Sequence, residues 1–367
     1  MASVNYFLCI NNCRGTEASL IERGLLNMNA KRWWAIGIAI FLFVASTGIT
    51  AMKSLMAQDF SGQLTSLLDE SEEETLFEEK TVASGNLDSR IAVLTVDGTI
   101  QDTGDSASLL SSETYNHQAF LEQLQQVKDD ETVKGIILKV NSPGGGVIES
   151  KQIYEAIKAI QKDRKIPVYS SMGSMAASGG YYISAPADKI FADEETMTGS
   201  IGVIMQGVNY SKLAEKYGIE FETIKTGPYK DIMSGSREMT KDERKILQDM
   251  VNESYNRFLN VIADGRDMSK ADVKKLADGR IYSGSQAKKV GLVDELGYEE
   301  DAIASMKKDY DLKNAEVFEY TASSDWTSMF AVKVNSILSG SADSQIIGKL
   351  LANYNSAPRM MYLYGEE

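Results

Sequence analysis

The sequence predicts an α/β fold with a largely parallel sheet, carried behind one N-terminal transmembrane helix. Three observations predict it. From Arg90 onward, short apolar runs alternate with segments of helical period; three of those runs end in glycine-rich turns; and Trp33 to Met52 contains no charged residue. Alternating strands and helices are the signature of βαβ units.

The uncharged stretch comes first in the chain. At 1.5 Å per residue it is long enough to cross a bilayer. Lys31 and Arg32 precede it, with Arg14 and Arg23 upstream, while Lys53 alone follows closely. That bias predicts a cytoplasmic N-terminus and everything after Met52 outside, in a single-pass protein of the cell membrane with an extracellular catalytic domain. A cleaved signal peptide is the alternative reading, although the run exceeds an ordinary h-region and no clean small-x-small site precedes Gln58. Residues 1–27 read as a translated leader or cytoplasmic tail, with Met28 expected to be the true start, and 28–53 as a signal anchor spanning about 33–52. Both cysteines, Cys9 and Cys13, fall in the leader, so the outer part cannot be held by disulfides.

Residues 54–89 are polar and acidic, with Asp69, Glu70, Glu72, Glu73 and Glu74 close together, and read as a solvated linker or stalk. The domain proper is expected over 90–310. Ile91–Val96 reads as a buried strand, Thr114–Val127 as a polar helix carrying His117 towards solvent, and Gly135–Val140 as the next strand. Helix Ser150–Lys162 and strand Pro167–Ser170 follow. A helix opens near Ser178, and strand Lys189–Ala192, helix Lys212–Tyr217 and strand Glu220–Ile224 continue the alternation. Thr240–Ile262 is one long amphipathic helix with Ile246, Met250, Tyr255, Phe258 and Val261 along one side. Residues 311–367 read as a C-terminal oligomerisation arm and tail, with Trp326, Phe330, Val334 and Ile337 at helical spacing.

Composition narrows the function. A net charge of −14 with no basic stripe excludes a nucleic-acid partner, because phosphate neutralisation needs clustered Lys and Arg. There is one histidine, His117, so neither a His-based catalytic triad nor a His-rich metal site is expected. No metal or other cofactor is called for. A serine nucleophile in such a chain needs another base, and Lys230, in Gly227-Pro228-Tyr229-Lys230-Asp231, is the candidate.

The glycine-rich turns carry the chemistry. Asn141-Ser142-Pro143-Gly144-Gly145-Gly146 follows a strand and lacks the Gly-Lys-Ser/Thr of a phosphate loop, so an exposed backbone donor is the better reading. Ser174 to Gly180 joins a strand to a helix. A serine there is ordinarily a helix cap, but Ala176, Ala177, Gly179 and Gly180 leave room for a substrate against the Ser178 hydroxyl. Thr198-Gly199-Ser200-Ile201-Gly202 is the third turn. Extended apolar peptides would pair with an accessible backbone edge at Gly144–Ile148, which makes Gly144, Gly146 and Val147 the substrate-binding candidates.

These motifs, in this order, resemble the short bacterial form of the signal peptide peptidase A family, in the ClpP/crotonase superfamily. The likeness includes Ala177-Ser178-Gly179-Gly180-Tyr181-Tyr182, Thr198-Gly199-Ser200-Ile201-Gly202-Val203, Tyr229-Lys230-Asp231 and Gly279-Arg280-Ile281-Tyr282-Ser283-Gly284. It covers about Arg90 to Tyr310. It implies ClpP/crotonase-like repeated ββα units after the transmembrane helix. It also implies a membrane-anchored serine endopeptidase that degrades remnant signal peptides after secretion. Ser178 would then be the nucleophile, Lys230 the general base and Ser200 the group orienting the lysine. The N–H groups of Gly145 and Gly179 would form the oxyanion hole. A lysine base must fall from ~10.4 to about 7–8, which burial can supply only if the adjacent Asp231 points elsewhere. The long form of the family has two repeats and this chain one, which implies a homo-oligomeric ring sharing its active sites. The partners expected are apolar signal peptides and other extended peptides, the lipid bilayer, and further copies of the chain. A crotonase-like acyl-CoA enzyme and a catalytically inactive membrane scaffold remain the alternatives.

Overall fold

Strands buried on both faces need uninterrupted apolar sequence, and the longest such runs form the centre of one sheet. The computed structural model describes residues 77–102, 115–322 and 359–365. The leader, the uncharged stretch 33–52 and the stripe Trp326, Phe330, Val334 and Ile337 lie outside the described residues. Among the described residues, no helix is long and apolar enough to cross a membrane.

In chain order the elements begin with β1 (Phe77–Ala83), β2 (Asn86–Asp97), α1 (His117–Asp129), β3 (Val133–Ser142), β4 (Gly144–Gly146) and α2 (Val147–Arg164). Next come β5 (Val168–Ala177), α3 (Gly179–Ser184), β6 (Lys189–Ala192), β7 (Met197–Gly199), α4 (Ser211–Lys216) and α5 (Lys241–Gly265). The chain continues through α6 (Lys270–Leu276), β8 (Ile281–Ser283), α7 (Gly284–Lys289), β9 (Glu295–Leu296) and α8 (Glu299–Asp309). Last are β10 (Ala315–Ala322) and β11 (Met361–Leu363).

The main sheet runs β1-β10-β2-β3-β5-β6-β9, with β7 attached to β5 and β8 to β7. Pairing from β10 to β9 is parallel, β1 is antiparallel to β10, and β8 is antiparallel to β7. This is the mixed, parallel-rich α/β architecture of a ClpP-like fold. Side chains alternate across each strand and so divide between two cores. Ala92, Leu94, Ile136, Leu138 and Val140 face the helical layer, with Phe120 and Leu124 of α1 and Ile153 and Ile157 of α2. Ile91, Val93, Ile137 and Tyr169 face the other way, onto Ala302 and Met306 of α8.

Several expectations are corrected. Glu220–Ile224 forms no strand: it pairs with no strand among the described residues, and Ile224 is 97% exposed. Alternating sequence makes a strand only where a neighbour completes the ladder. His117 is buried rather than solvated, because both ring nitrogens find partners: Nδ1 is 2.7 Å from the Tyr115 hydroxyl and Nε2 is 2.9 Å from Gln152 Oε1. The stripe on α5 is only half a core face: Phe258 and Val261 are buried, but Ile246 and Met250 are exposed. The stretch read as an acidic linker supplies β1, and the stretch read as a C-terminal arm supplies β10 and β11. Arg90 ties this edge together, 2.5 Å from both Glu79 and Asp130, with its guanidinium 4.2 Å over the Phe318 ring.

Candidate active site

The serine turn is built by strand register. Strand β5 runs parallel to β3 on one side and β7 on the other, and its last residue, Ala177, pairs with Gly199 at the end of β7. Ser178 and Ser200 are therefore consecutive to a matched pair and emerge side by side at the carboxyl ends of their strands. Both leave the sheet in a left-handed conformation, with φ of 54° and 48°. Such a backbone costs a non-glycine residue energy and clusters where chemistry needs a side chain aimed. The Ser178 N–H donates to the Gly199 carbonyl at 2.8 Å, and the Ser200 N–H to the Arg280 carbonyl at 2.8 Å. Those bonds hold the strained pair in place.

Ser178 precedes α3 but does not cap it. With ψ at −112° its side chain makes no capping hydrogen bond, while its carbonyl accepts the first bond of the helix, from the Tyr182 N–H at 2.8 Å. The ordinary side-chain cap role is thus left unused. Gly179 opens the helix, where an N–H has no intrahelical acceptor. A β carbon on Gly179 would stand 2.7 Å from Ser150 Oγ and 3.0 Å from the Gly145 nitrogen. The backbones of Gly145 and Gly179 therefore meet in one corner beside Ser178. Ser150 Oγ, buried in that corner, has no hydrogen-bond partner among the described residues.

The glycine strand is where an extended chain runs. Strand β11 pairs antiparallel with β4, matching Met361 with Gly146, Tyr362 with Gly145 and Leu363 with Gly144. Its other edge meets Ile204, with Met361 and Ile204 exchanging N–H···O bonds of 3.0 and 3.1 Å. A β carbon on Gly144, where φ is +102°, would stand 2.0 Å from the Tyr362 carbonyl oxygen, so only glycine permits this approach. The Tyr362 ring is buried between Tyr182 and Phe258, with centroids 4.9 and 4.6 Å away, and its hydroxyl lies 3.1 Å from Ser254 Oγ. Past Tyr362, the chain enters a cavity of 570 Å³ lined by Ser178, Ser200, Val203, Leu363 and Tyr364. Gly144, Gly146 and Val147, the substrate-binding candidates, lie along this edge, and the tail strand beside them is not predicted by the sequence. Its signal was the apolar run Met360–Tyr364, too short to separate from an ordinary chain end.

Lys230 stands apart. It lies exposed in a turn, its N–H donating to the Gly227 carbonyl at 3.3 Å, and is not among the residues lining the serine cavity. Its awkward neighbour is accounted for. The Asp231 carboxylate accepts from Arg237 at 2.6 and 2.8 Å and from Lys225 at 2.7 Å. Those bonds, Arg237's first, hold the Asp231 carboxyl far below the usual carboxylate range. Arg237 also pairs with Glu243 of the Thr240 capping box and, with the Thr240 backbone N–H, holds that carboxyl at about 2. The turn is thus pinned to the start of α5 while leaving the Lys230 amine unengaged by Asp231.

Fold and serine turn together define a serine peptidase built on a ClpP-like core. Residues 160–313 match the family described as Peptidase family S49, and residues 107–200 match Clp protease. A protein of Enterococcus faecium named as a signal peptide peptidase SppA is 42% identical over 347 residues, covering 92% of this chain and 99% of that one. Protease 4 of Haemophilus influenzae is 39% identical over 59% of this chain and 34% of its own. Serine protease SPPA, chloroplastic, of Arabidopsis thaliana is 31% identical over 60% of this chain and 32% of its own. The chain belongs to peptidase family S49 and is an SppA-type serine peptidase. Membership decides for peptide hydrolysis over the acyl-CoA alternative.

Proposed function

We propose that this protein is a membrane-anchored endopeptidase that uses a Ser178/Lys230 dyad to degrade signal peptides left in the bilayer after secretion. The observation that carries the reading is Ser178 itself: buried, strained, freed from capping and set beside two glycine N–H groups. In the proposed reaction Ser178 Oγ attacks the scissile carbonyl carbon while its proton passes to the neutral Lys230 amine. The Gly145 and Gly179 N–H groups receive the oxyanion. The resulting ammonium returns the proton to the departing amine, and water then releases the acyl group with Lys230 again as base. Ser200, beside Ser178, accepts a hydrogen bond from the lysine and orients it.

The lysine arrives from a second copy. Its exposure in the single chain, and the cavity it does not line, support that reading. So does the apolar surface of the segment leading to it, where Val208, Leu213, Tyr217 and Ile219 are all more than half exposed. The anchor rests on Trp33–Met52 and the flanking charges, which orient the peptidase outside the cell membrane and give it access to peptides lodged there. Ser178→Ala in the purified full-length protein tests the whole reading. Cleavage of an apolar peptide should fall by at least about 10⁴-fold with the circular dichroism spectrum unchanged. Turnover near that of the parent protein would remove Ser178 from the reaction.

A further inference from the structure

The chain lying in the groove enters it behind a cation. Arg359, just ahead of β11, places Nη2 2.8 Å from Gln101 Oε1 and Nη1 3.4 Å from Glu149 Oε1. Glu149 is in the first turn of α2, directly after the glycine strand, and its side chain is only 11% exposed. Its placement is constrained from two sides. A β carbon on Gly146 would stand 1.8 Å from Glu149 Oε2, so the carboxylate occupies space that a side chain at that position would take. Glu149 Oε1 also accepts from the Asp102 N–H at 3.4 Å.

Peptide hydrolysis makes no use of these two side chains. They lie at the upstream end of the groove, whereas Ser178 lies downstream beside Leu363 and Tyr364. A nearly buried carboxylate is costly unless paired, and among the described residues its ion-pair partner is Arg359. Between the two ends the groove is apolar, walled by Tyr182 and Phe258 around Tyr362. The groove therefore reads a cation first and apolar side chains after it.

We propose that Glu149 and Gln101 form a subsite for an arginine or lysine side chain of the substrate, so that the preferred substrate carries a cation immediately upstream of an apolar run. A signal peptide has that order, a positively charged n-region followed by an apolar h-region. The inference deepens the peptidase reading and rests on it. It also answers a register problem. A uniformly apolar peptide can slide along a glycine edge that offers only backbone bonds, since weakly marked strands slip. A charge fixed at one end sets which bond reaches Ser178.

The test uses the purified full-length protein and a synthetic peptide of residues 357–367, with versions carrying glutamine or glutamate in place of the arginine. Competition from the protein's own tail lowers all three rates by one factor and leaves their ratios intact. The arginine peptide should have a kcat/KM about fivefold above the glutamine peptide, the upper end for a half-exposed ion pair, and further above the glutamate peptide. The difference should lie in KM, because the contact is equal in ground and transition states, and it should shrink with added salt. Glu149→Gln should reduce the ratio below about twofold, and Gln101→Leu should reduce it in part. Affinities measured by fluorescence anisotropy on Ser178→Ala should rank the peptides in the same order. If all three are cleaved alike, or bind alike or not at all, the subsite is refuted while peptide hydrolysis is judged separately by Ser178→Ala. Discrimination in binding without cleavage by the parent protein would keep the subsite and sink the proposed degradation of signal peptides.

Discussion

Ser178 and Ser200 are neighbours because Ala177 and Gly199 are paired across β5 and β7, and both serines turn out of the sheet with positive φ. One register thus delivers a proposed nucleophile and a second hydroxyl to the same cavity. The second hydroxyl has its own backbone anchor, the bond from the Ser200 N–H to the Arg280 carbonyl. Its position is therefore independent of whatever base arrives.

Ser200→Ala should consequently weaken activity without abolishing it. The alanine keeps the anchoring N–H and loses one hydrogen bond to the base, worth about 1–1.5 kcal/mol, or on the order of tenfold in kcat. A loss as large as that of Ser178→Ala, measured on the same peptide, would give Ser200 a part in bond making.

Lys230→Arg should be as inactive as Lys230→Ala, because a guanidinium is effectively always protonated and cannot take the serine proton. The pH profile of kcat/KM for the parent protein should rise towards mildly alkaline pH, since only the neutral amine is a base. An imidazole base would instead produce a rise near 6.5. Retained activity in the arginine variant would reduce Lys230 to a fixed charge.

Acid should loosen the turn that presents Lys230. Glu243 and Asp231 are both held below their usual carboxylate range, each with an Arg237 hydrogen bond as the first cause. A depressed carboxyl contributes stability above its unfolded value of about 4.5 and loses it as pH falls through the folded value, here about 2 for Glu243. Hydrogen exchange in the 228–243 segment should therefore accelerate, after correction for intrinsic rate, between about pH 4.5 and 2. Arg237→Ala should show the faster exchange already at pH 7. Unchanged exchange in that variant would mean the turn is held by other contacts.

What the sequence made legible was whatever a single segment decides. Ile91–Val96 and Gly135–Val140 are apolar enough to demand burial on both faces, and the glycines around Ser178 announce a close approach of backbone. What stayed hidden depends on partners far along the chain. Strand β10 carries two acids, Glu316 and Glu319, among its apolar residues, and β1 bears Glu78, Glu79 and Lys80; β1 becomes a strand by pairing with β10, and β10 by lying between β1 and β2. Glu149, in the first turn of α2, satisfies the ordinary preference for an acid at a helix start, so nothing in its local sequence marks it as the partner of Arg359. His117 likewise reads as polar surface until Tyr115 and Gln152 close on its two nitrogens. Glu220–Ile224 fails for the converse reason, a segment of strand-like composition with no strand beside it among the described residues.

The site should be shared between subunits. Ser178, Ser200 and the backbones of Gly145 and Gly179 meet within one protomer. Lys230 is exposed in a turn outside the cavity, and the chain before it exposes Val208, Leu213, Tyr217 and Ile219. A closed ring would cover that surface and carry each lysine to a neighbour's serine. Ser178→Ala and Lys230→Ala should each be inactive as pure assemblies. When their subunits are mixed and allowed to exchange, an interface between an intact serine and a neighbour's intact lysine reconstitutes one working site. Partial activity should appear and peak near equal proportions, whereas sites confined to one chain would recover none at any ratio. Subunit exchange is verified on the same sample by energy transfer between differently labelled variants. Complete exchange with no recovered cleavage would place Lys230 and Ser178 in the same chain, and the turn carrying Lys230 would then have to fold back to reach the cavity.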